Sequence, residues 1–363
     1  MKKILLCWLA AATALTAGAQ SNEWQDAGVN AVNRMPMHGS WFAYESPEAA
    51  QTGDKTLSER FVTLNGNWKF NWVRDADQRP TDFFRVGYND KGWNDMPVPG
   101  LWELNGYGDP VYLNVGYAWR GWFKNDPPHV PVEQNHVGSY RRTVDIPAAW
   151  AGRQIVAHFG SVTSNIYLWV NGQYVGFSKN SRNAARFEVT PYIKEGDNQV
   201  AVEVFRNSDG SFLEAQDMFR LPGIFRSVYL YSTPQSYIAD LQVRTDAQGR
   251  LRLSPTIAGA AKGMKMAYKL YPVALYTDSI CGPEVAEKNV LATDTTTLTV
   301  PGARLWSAEQ PNRYKLVVTL LDAKGKPLET TGIYIGFRSV EIRDVSPQED
   351  EFGLGGRQLL VNG

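Results

Sequence analysis

The sequence predicts an all-β fold, with a jelly-roll β-sandwich followed by an immunoglobulin-like β-sandwich. Short runs alternate aromatic and polar residues, as at Trp68, Phe70 and Trp72, which is the period of a strand. Asn171-Gly172 separates two such runs and is typical of a type I′ hairpin turn. Beyond residue 233, further candidate strands alternate with turns, and the last of them is predicted over residues 332–342.

Composition limits the classes of function. The chain has 363 residues, of which 37 are basic and 37 are acidic, so its formal net charge is zero. A neutral chain without a basic stripe is not expected to bind nucleic acid. The length suggests two or three domains, and a hydrophobic content of 43% is enough to form their cores.

The N-terminus has the pattern of a secretory signal peptide, assigned to residues 1–19. Lys2 and Lys3 precede an apolar stretch, and Ala17-Gly18-Ala19 fits the small-residue cleavage site. We therefore expect cleavage after Ala19 and a periplasmic or secreted protein. The apolar stretch is too short to span a membrane, and no second one follows it. Removal of the signal leaves a single cysteine, which excludes an internal disulfide.

The rest of the chain divides by pattern into four parts. Residues 20–60 are polar and irregular and contain an aromatic cluster, which predicts an extended arm anchored on the body of the protein. Residues 61–233 form the predicted jelly roll, and residues 234–344 the immunoglobulin-like sandwich. Residues 345–363 end in an apolar strand with nothing evident to pair with, which suggests the interrupted entrance to a further domain.

The segment between the strands predicted at 198–205 and 227–231 concentrates charge among aromatic residues. Asp209, Glu214 and Asp217 invite a glycosidase interpretation, because glycoside hydrolysis uses two carboxylates. The alternative is structural, since buried carboxylates are usually paired. It predicts ion pairs between Glu214 and Asp217 and the arginines of the same segment, which are Arg206, Arg220 and Arg226.

Asp209 is distinctive because it directly follows a strand within Ser-Asp-Gly. Its carboxylate could accept hydrogen bonds from hydroxyl groups or bind a hard cation such as Na⁺. An Asx turn is the structural alternative. The loop 106–119 carries Asn114 amid aromatic residues, a composition typical of a carbohydrate-binding surface. Of the histidines, His38 and His158 are expected to serve packing.

Several motifs together resemble the N-terminal half of glycoside hydrolase family 2, most closely the large bacterial β-galactosidases. The motifs in the first predicted sandwich are Leu64-Asn-Gly-x-Trp-x-Phe70, Pro97-Val-Pro-Gly-x-Trp102, Pro110-x-Tyr-x-Asn-Val115, Leu168-Trp-Val-Asn-Gly-x-x-Val-Gly176 and Ser208-Asp-Gly-Ser-x-Leu-Glu-x-Gln-Asp-Met-x-Arg-x-x-Gly-Ile-Phe-Arg226. Those further on are Leu305-Trp-Ser-Ala-Glu-x-Pro-x-x-Tyr314, Gly336-Phe-Arg-x-Val-x-Ile342 and the terminal Leu359-Leu-Val-Asn-Gly363.

The resemblance implies two sandwiches followed by a (β/α)8 barrel, which this chain lacks. In the family, that barrel carries both catalytic glutamates of a retaining mechanism and binds Mg²⁺, so no catalytic residue is expected here. Asn114 resembles the asparagine that reaches the galactose hydroxyls. Asp209 resembles the aspartate that binds the sugar and a Na⁺ ion. The implied partner is a β-galactoside or glycan, and a homo-oligomer of the full-length enzyme is compatible with the resemblance.

Three other interpretations stay open on sequence alone. The chain could be a free-standing carbohydrate-binding module without hydrolysis. It could be the same region of a β-glucuronidase or β-mannosidase, although Gln216-Asp-Met-x-Arg220 favours a galactosidase. It could also be a purely structural pair of sandwiches, in which case the aromatic loop 106–119 would belong to the core.

Overall fold

The computed structural model describes residues 22–114, 116–117, 119, 122–215, 217–259 and 262–363. The predicted signal peptide lies outside these residues. The strands of the first part of the chain are β1 (Ala31–Val32), β2 (Phe61–Thr63), β3 (Gly66–Val73), β4 (Asn94–Val98), β5 (Gly100–Leu101), β6 (Val111–Leu113), β7 (Val137–Ile146), β8 (Gln154–Phe159), β9 (Val162–Thr163), β10 (Asn165–Val170), β11 (Gln173–Lys179), β12 (Ala185–Glu188), β13 (Gly196–Phe205), β14 (Met218–Arg220), β15 (Gly223–Ile224) and β16 (Val228–Thr233).

The strands of the second part are β17 (Tyr237–Thr245), β18 (Arg250–Ala258), β19 (Lys265–Pro272), β20 (Ala286–Leu291), β21 (Thr296–Thr299), β22 (Tyr314–Leu321), β23 (Pro327–Ile335), β24 (Val340–Val345) and β25 (Gly356–Val361). Two short α-helices are α1 (Pro47–Thr52) and α2 (Ser211–Glu214). The fold is all-β, as predicted, and the described residues contain no closed barrel.

The first sandwich packs a seven-stranded sheet against a four-stranded one. Their strand orders are β1-β11-β10-β13-β7-β3-β4 and β12-β8-β16-β2. Residues of both sheets form one continuous core, to which Trp68 and Leu168 contribute from the larger sheet and Phe159 and Leu230 from the smaller. The alternation in the sequence exists because one face of each strand contacts this core.

The turn predicted at Asn171-Gly172 is present between β10 and β11. Both residues have positive φ angles, 50° and 81°, which a type I′ turn requires. The Asn171 side chain also bonds the backbone carbonyl of Tyr192 at 2.8 Å and the side chain of Asn198 at 2.7 Å. The hairpin is therefore held to the rest of the sandwich as well as closed locally.

The second sandwich pairs β17-β18-β21 with β20-β19-β22-β23. Its separate core includes Leu253, Tyr268, Leu316 and Phe337. Strand β20 was not foreseen, because its run from 286 to 291 is charged and mostly exposed. The strand predicted over 332–342 is two strands, since β23 ends at Ile335 and β24 begins at Val340.

The terminal strand is paired, so the expectation that it has nothing to pair with is wrong. Strand β25 forms an antiparallel hairpin with β24, in which Val340 faces Val361 and Ile342 faces Leu359. The apolar residues of this hairpin stay largely in solvent, because Ile342 is 69% and Leu359 70% exposed. The partner was missed because the sequence places it within the longer predicted strand 332–342.

The N-terminal arm is anchored on both sandwiches, in agreement with its aromatic cluster. Phe42 and Tyr44 are buried with Tyr229 and Tyr231 of the first sandwich and Val317 of the second. Tyr44 also exchanges two backbone hydrogen bonds with Thr330. The two histidines serve packing as expected. His38 stacks on Trp41 with ring centres 3.9 Å apart, and His158 stacks on Tyr229 at 4.3 Å.

Candidate functional site

The charged segment leaves the first sandwich at the end of β13 and returns to it at β16. Between them, β14 pairs with β6, so that Met218 lies opposite Leu113 and Phe219 opposite Tyr112. Continuing this register places Asn114 level with Asp217. The sheet topology therefore brings the segment of Asn114 beside the segment of Asp209, although they are far apart in sequence.

Asp209 forms a buried ion pair with Lys179, the last residue of β11. The Lys179 ammonium donates to Oδ1 of Asp209 at 2.7 Å and to Oδ2 at 2.9 Å, and both side chains are below a tenth exposed. A third bond, of 2.8 Å, goes to the backbone carbonyl of Asp26 in the arm. The arm also fixes Asp209 directly, because the Asp209 amide donates to the carbonyl of Trp24 at 2.9 Å.

The residues around Asp209 do not fit a sodium ion in this arrangement. A hard cation needs several oxygen ligands, and here the Lys179 ammonium already lies within bonding distance of both Asp209 oxygens and of a carbonyl. The described residues also hold no group of three or more His, Cys, Asp or Glu side chains placed to bind a metal. The positive charge beside Asp209 therefore comes from the protein itself.

Glu214 and Asp217 bind neutral groups, so the predicted ion pairs with the arginines of their own segment are wrong. Glu214 accepts from the backbone amide of Ser181 at 3.0 Å and from the Ser181 hydroxyl. Asp217 accepts a hydrogen bond from the Tyr112 hydroxyl. Each carboxylate thus ties the segment to a strand or loop of the sandwich.

The three arginines bind elsewhere. Arg226 donates to the carbonyl of Arg182 at 3.0 Å, and Arg220 to the carbonyl of Leu113 at 3.4 Å. Arg206 lies 3.6 Å from Glu103 and donates to Nδ1 of His136 at 3.0 Å. The prediction failed because Glu103 and the carbonyl acceptors come from distant parts of the chain.

Burial dominates the electrostatics around Arg206. It raises the pKa of Glu103 to about 7, with Arg206 opposing the shift. Burial, followed by the charge of Arg206, lowers the pKa of His136 to about 4. His136 is therefore neutral at pH 7, and because its Nδ1 accepts from Arg206, its proton is on Nε2.

The aromatic loop divides between core and surface. Trp119 is 4% exposed and stacks on Tyr117 with ring centres 5.4 Å apart. Tyr112 and Phe219 are 52% and 57% exposed and lie 5.4 Å apart on the ribbon of β6 and β14. Asn114 follows this ribbon and is exposed. An exposed amide beside paired aromatic rings is suited to a sugar, which combines apolar C–H faces with hydroxyl groups.

Lys179 and Glu103 are the two site residues that the sequence analysis missed. A signal for Lys179 existed, because it lies two residues after Phe177 on β11 and therefore shares the face of that buried aromatic residue. A lysine at such a position requires a carboxylate partner. Glu103 lies in an irregular segment without periodicity, so its burial could not have been found.

Comparison with known proteins agrees with this architecture. The family profile described as "Glycosyl hydrolases family 2, sugar binding domain" matches residues 61–234, and the one described as "Glycosyl hydrolases family 2" matches residues 236–338. The chain belongs to glycoside hydrolase family 2. The family resemblance predicted from the motifs is therefore confirmed.

Relatives of known name include β-galactosidases. One from Halalkalibacterium halodurans is 37% identical over 93% of this chain, and the β-galactosidase large subunit of Leuconostoc lactis is 30% identical over 94%. The chain spans 33% of the first relative's length and 55% of the second's.

Solved structures share the fold. A β-glycosidase from Bacteroides vulgatus matches 84% of this chain and 36% of its own, with a TM-score of 0.58 and 24% identity. A β-glucuronidase from Bifidobacterium dentium covers 84% of this chain and 51% of its own, with a TM-score of 0.61 and 19% identity. In the described residues, no helix combines the length and the apolar character that crossing a membrane requires.

Proposed function

We propose that this chain is the N-terminal, non-catalytic part of an exported, retaining β-galactosidase that hydrolyses terminal β-D-galactosides. The observation that carries the proposal is identity of 37% and 36% to two β-galactosidases over more than nine-tenths of this chain. Two β-glucuronidases among the similar structures are 21% and 19% identical and support the fold alone.

Asn114 and Asp209 are the proposed sugar ligands. Asn114 is exposed at the end of β6, where its amide can both donate to and accept from hydroxyl groups. Lys179 uses two of the roughly four lone-pair directions of the Asp209 carboxylate, so a sugar hydroxyl can still donate to it. The Na⁺ ion expected at Asp209 is not part of this proposal, because Lys179 already donates to both oxygens of its carboxylate.

Hydrolysis is proposed to need the barrel that carries both catalytic glutamates in the family. This chain alone should therefore not cleave a chromogenic β-galactoside, whereas the full-length enzyme should, and should prefer it to the matching β-glucuronide. Turnover by this chain alone, or preference of the full-length enzyme for the glucuronide, would contradict the proposal.

The sugar ligands are tested in the full-length enzyme. Asn114→Ala and Asp209→Asn should each lower kcat/KM by about tenfold or more, because each removes a hydrogen bond to the reacting sugar. Asp95→Asn is the control, since Asp95 is exposed and pairs only with Lys69 at the surface. If both variants had the same kcat/KM as the wild type, Asn114 and Asp209 would have a structural role and would not bind the sugar.

Export is tested separately on the mature protein. The signal pattern ends at Ala19, so N-terminal sequencing of protein recovered from outside the cytoplasm should begin at Gln20. Recovery of an uncleaved chain from the cytoplasm would remove export from the proposal without affecting the proposed activity.

A further inference from the structure

A cavity of about 370 Å³ opens beside the candidate site, between the aromatic loop and the end of β13. Its volume lies within the range of small-molecule sites, roughly 300–1,000 Å³. Trp72, Trp119, Trp122, Asp109, His136 and Arg206 are among the residues that line it. Neither Asn114 nor Asp209 does, so the cavity is distinct from the proposed galactose ligands.

Three buried N–H groups in the cavity lining have no hydrogen-bond partner among the described residues. They are Nε1 of Trp72, Nε1 of Trp119 and Nε of Arg206. Trp119 is 4% exposed and the Arg206 side chain 7%. Because buried donors are nearly always paired, such a group of donors indicates a ligand rich in acceptor oxygens.

The same cavity offers an aromatic surface. Trp122 is 66% exposed, which is unusual for so large an apolar side chain, and Trp72 lines the cavity with it. Trp72 is held in place by edge-to-face contact with His136, with ring centres 4.7 Å apart. Indole faces of this kind bind the C–H face of a sugar ring while its hydroxyl groups reach polar partners.

The charges around the cavity balance. Arg74 and Arg206 contribute two positive charges, and Asp109 and Glu133 contribute two negative ones. His136 is neutral at pH 7 and adds no charge to the lining. A lining without net charge favours a neutral ligand over a carboxylate or phosphate.

We propose that this cavity is a second carbohydrate subsite, which binds a neutral hexose unit of a glycan through Trp122, the Trp72 and Trp119 indoles and Arg206. The proposal does not depend on β-galactosidase activity. A glycan-binding module without hydrolysis could use the same cavity.

Titration calorimetry of lactose into this chain tests the subsite. Lactose should bind with a dissociation constant on the order of 1 mM. Trp122→Ala should weaken binding about tenfold, because exposed tryptophans that contact a ligand dominate binding. Phe352→Ala is the matched control, since Phe352 is an aromatic residue that is 79% exposed and lies between β24 and β25, outside the cavity lining. It should leave binding unchanged.

Trp72→Phe separates a binding role from a structural one. The change keeps an aromatic ring and removes an N–H group that has no protein partner. It should weaken lactose binding several-fold, whereas the midpoint of thermal unfolding should fall only by the effect of the smaller ring on packing, because no protein hydrogen bond is lost. Reduced stability with unchanged binding would assign Trp72 to the core alone.

Other results would overturn the subsite. One is the absence of lactose binding up to about 50 mM. Another is binding of glucuronic acid that is at least tenfold tighter than binding of lactose. A third is loss of lactose binding in Asn114→Ala but not in Trp122→Ala. The last result would place the sugar at the candidate site and leave the proposed function intact. Hydrolysis measurements on the full-length enzyme test that function independently.

Discussion

The ammonium group of Lys179 contacts both carboxylate oxygens of Asp209, at 2.7 and 2.9 Å, in a place closed by the N-terminal arm. Asp209 comes from the segment that follows β13, and Lys179 from the end of β11. The pair therefore joins three parts of the chain at one buried point.

Lys179→Met should destabilise the protein by about 3–5 kcal/mol, because it leaves the Asp209 carboxylate buried without a counter-charge. Urea denaturation measures the change in the free energy of unfolding. Lys69→Met is the control, since Lys69 pairs with Asp95 at the exposed surface and should contribute no more than about 1 kcal/mol.

The double variant Lys179→Met/Asp209→Asn should be less destabilised than the two single variants added together. Removing both charges leaves no unpaired ion, so the pair shows a coupling energy in a double-mutant cycle. Strict additivity of the two changes would mean that the pair makes no net interaction.

Sodium should not stabilise this chain specifically. Because Lys179 already neutralises Asp209, exchanging sodium chloride for choline chloride at equal ionic strength should leave the thermal midpoint unchanged. A sodium-dependent rise in the midpoint would show that the ion displaces Lys179 or binds elsewhere.

The free energy of unfolding of Glu329→Gln, relative to that of the wild type, should increase as the pH rises. Burial raises the pKa of Glu329 from its ordinary 4.5 to about 8, with Arg60 opposing the shift. Between these values the unfolded chain releases the proton and the folded chain keeps it, so wild-type stability falls with rising pH. Below about pH 4.5 this difference disappears.

Urea denaturation at pH 4.5, 6.5 and 8.5 measures this effect. The difference in free energy of unfolding between Glu329→Gln and the wild type should grow in favour of the variant across the series. A difference independent of pH would show that Glu329 is ionised throughout, held by Arg60 and Arg153.

Phe42→Ala should destabilise the protein by about 3–5 kcal/mol, the usual effect of deleting a buried phenylalanine ring. The Phe42 ring lies 5.0 Å from that of Tyr44 and 5.8 Å from that of Tyr231. Met37→Ala is the control in the same arm, because Met37 is 45% exposed and should change stability by about 0.5 kcal/mol or less. Equal effects of the two changes would mean that the aromatic anchor is not what holds the arm.

The sequence predicted elements whose cause is local. Alternation locates β3, and the Asn171-Gly172 turn locates the hairpin of β10 and β11, because both depend on neighbouring residues. Prediction from the sequence failed where a residue or strand interacts with a partner far away in the chain. The pairing of β24 with β25, the burial of Glu103 and the bond from Lys179 to Asp209 all depend on segments that only the fold brings together.

The candidate site shows the same division. Asp209 and Asn114 could be singled out from their motifs, and the register of β6 and β14 brings their segments side by side. Their environment could not be predicted. Three carboxylates and three arginines within one segment favour pairing by proximity alone, whereas the structure binds Glu214 to Ser181 and Arg206 to Glu103.

The arm also has a consequence for the order of folding. Tyr44 bonds the backbone of Thr330, and Arg60 bonds the carbonyl of Leu328. Each partner is synthesised more than 260 residues after the arm residue that it binds. During synthesis, these two contacts of the arm cannot form until the chain has been made as far as residue 330. Contacts of such long sequence separation slow folding. The arm thus completes its native contacts long after its own residues have been synthesised.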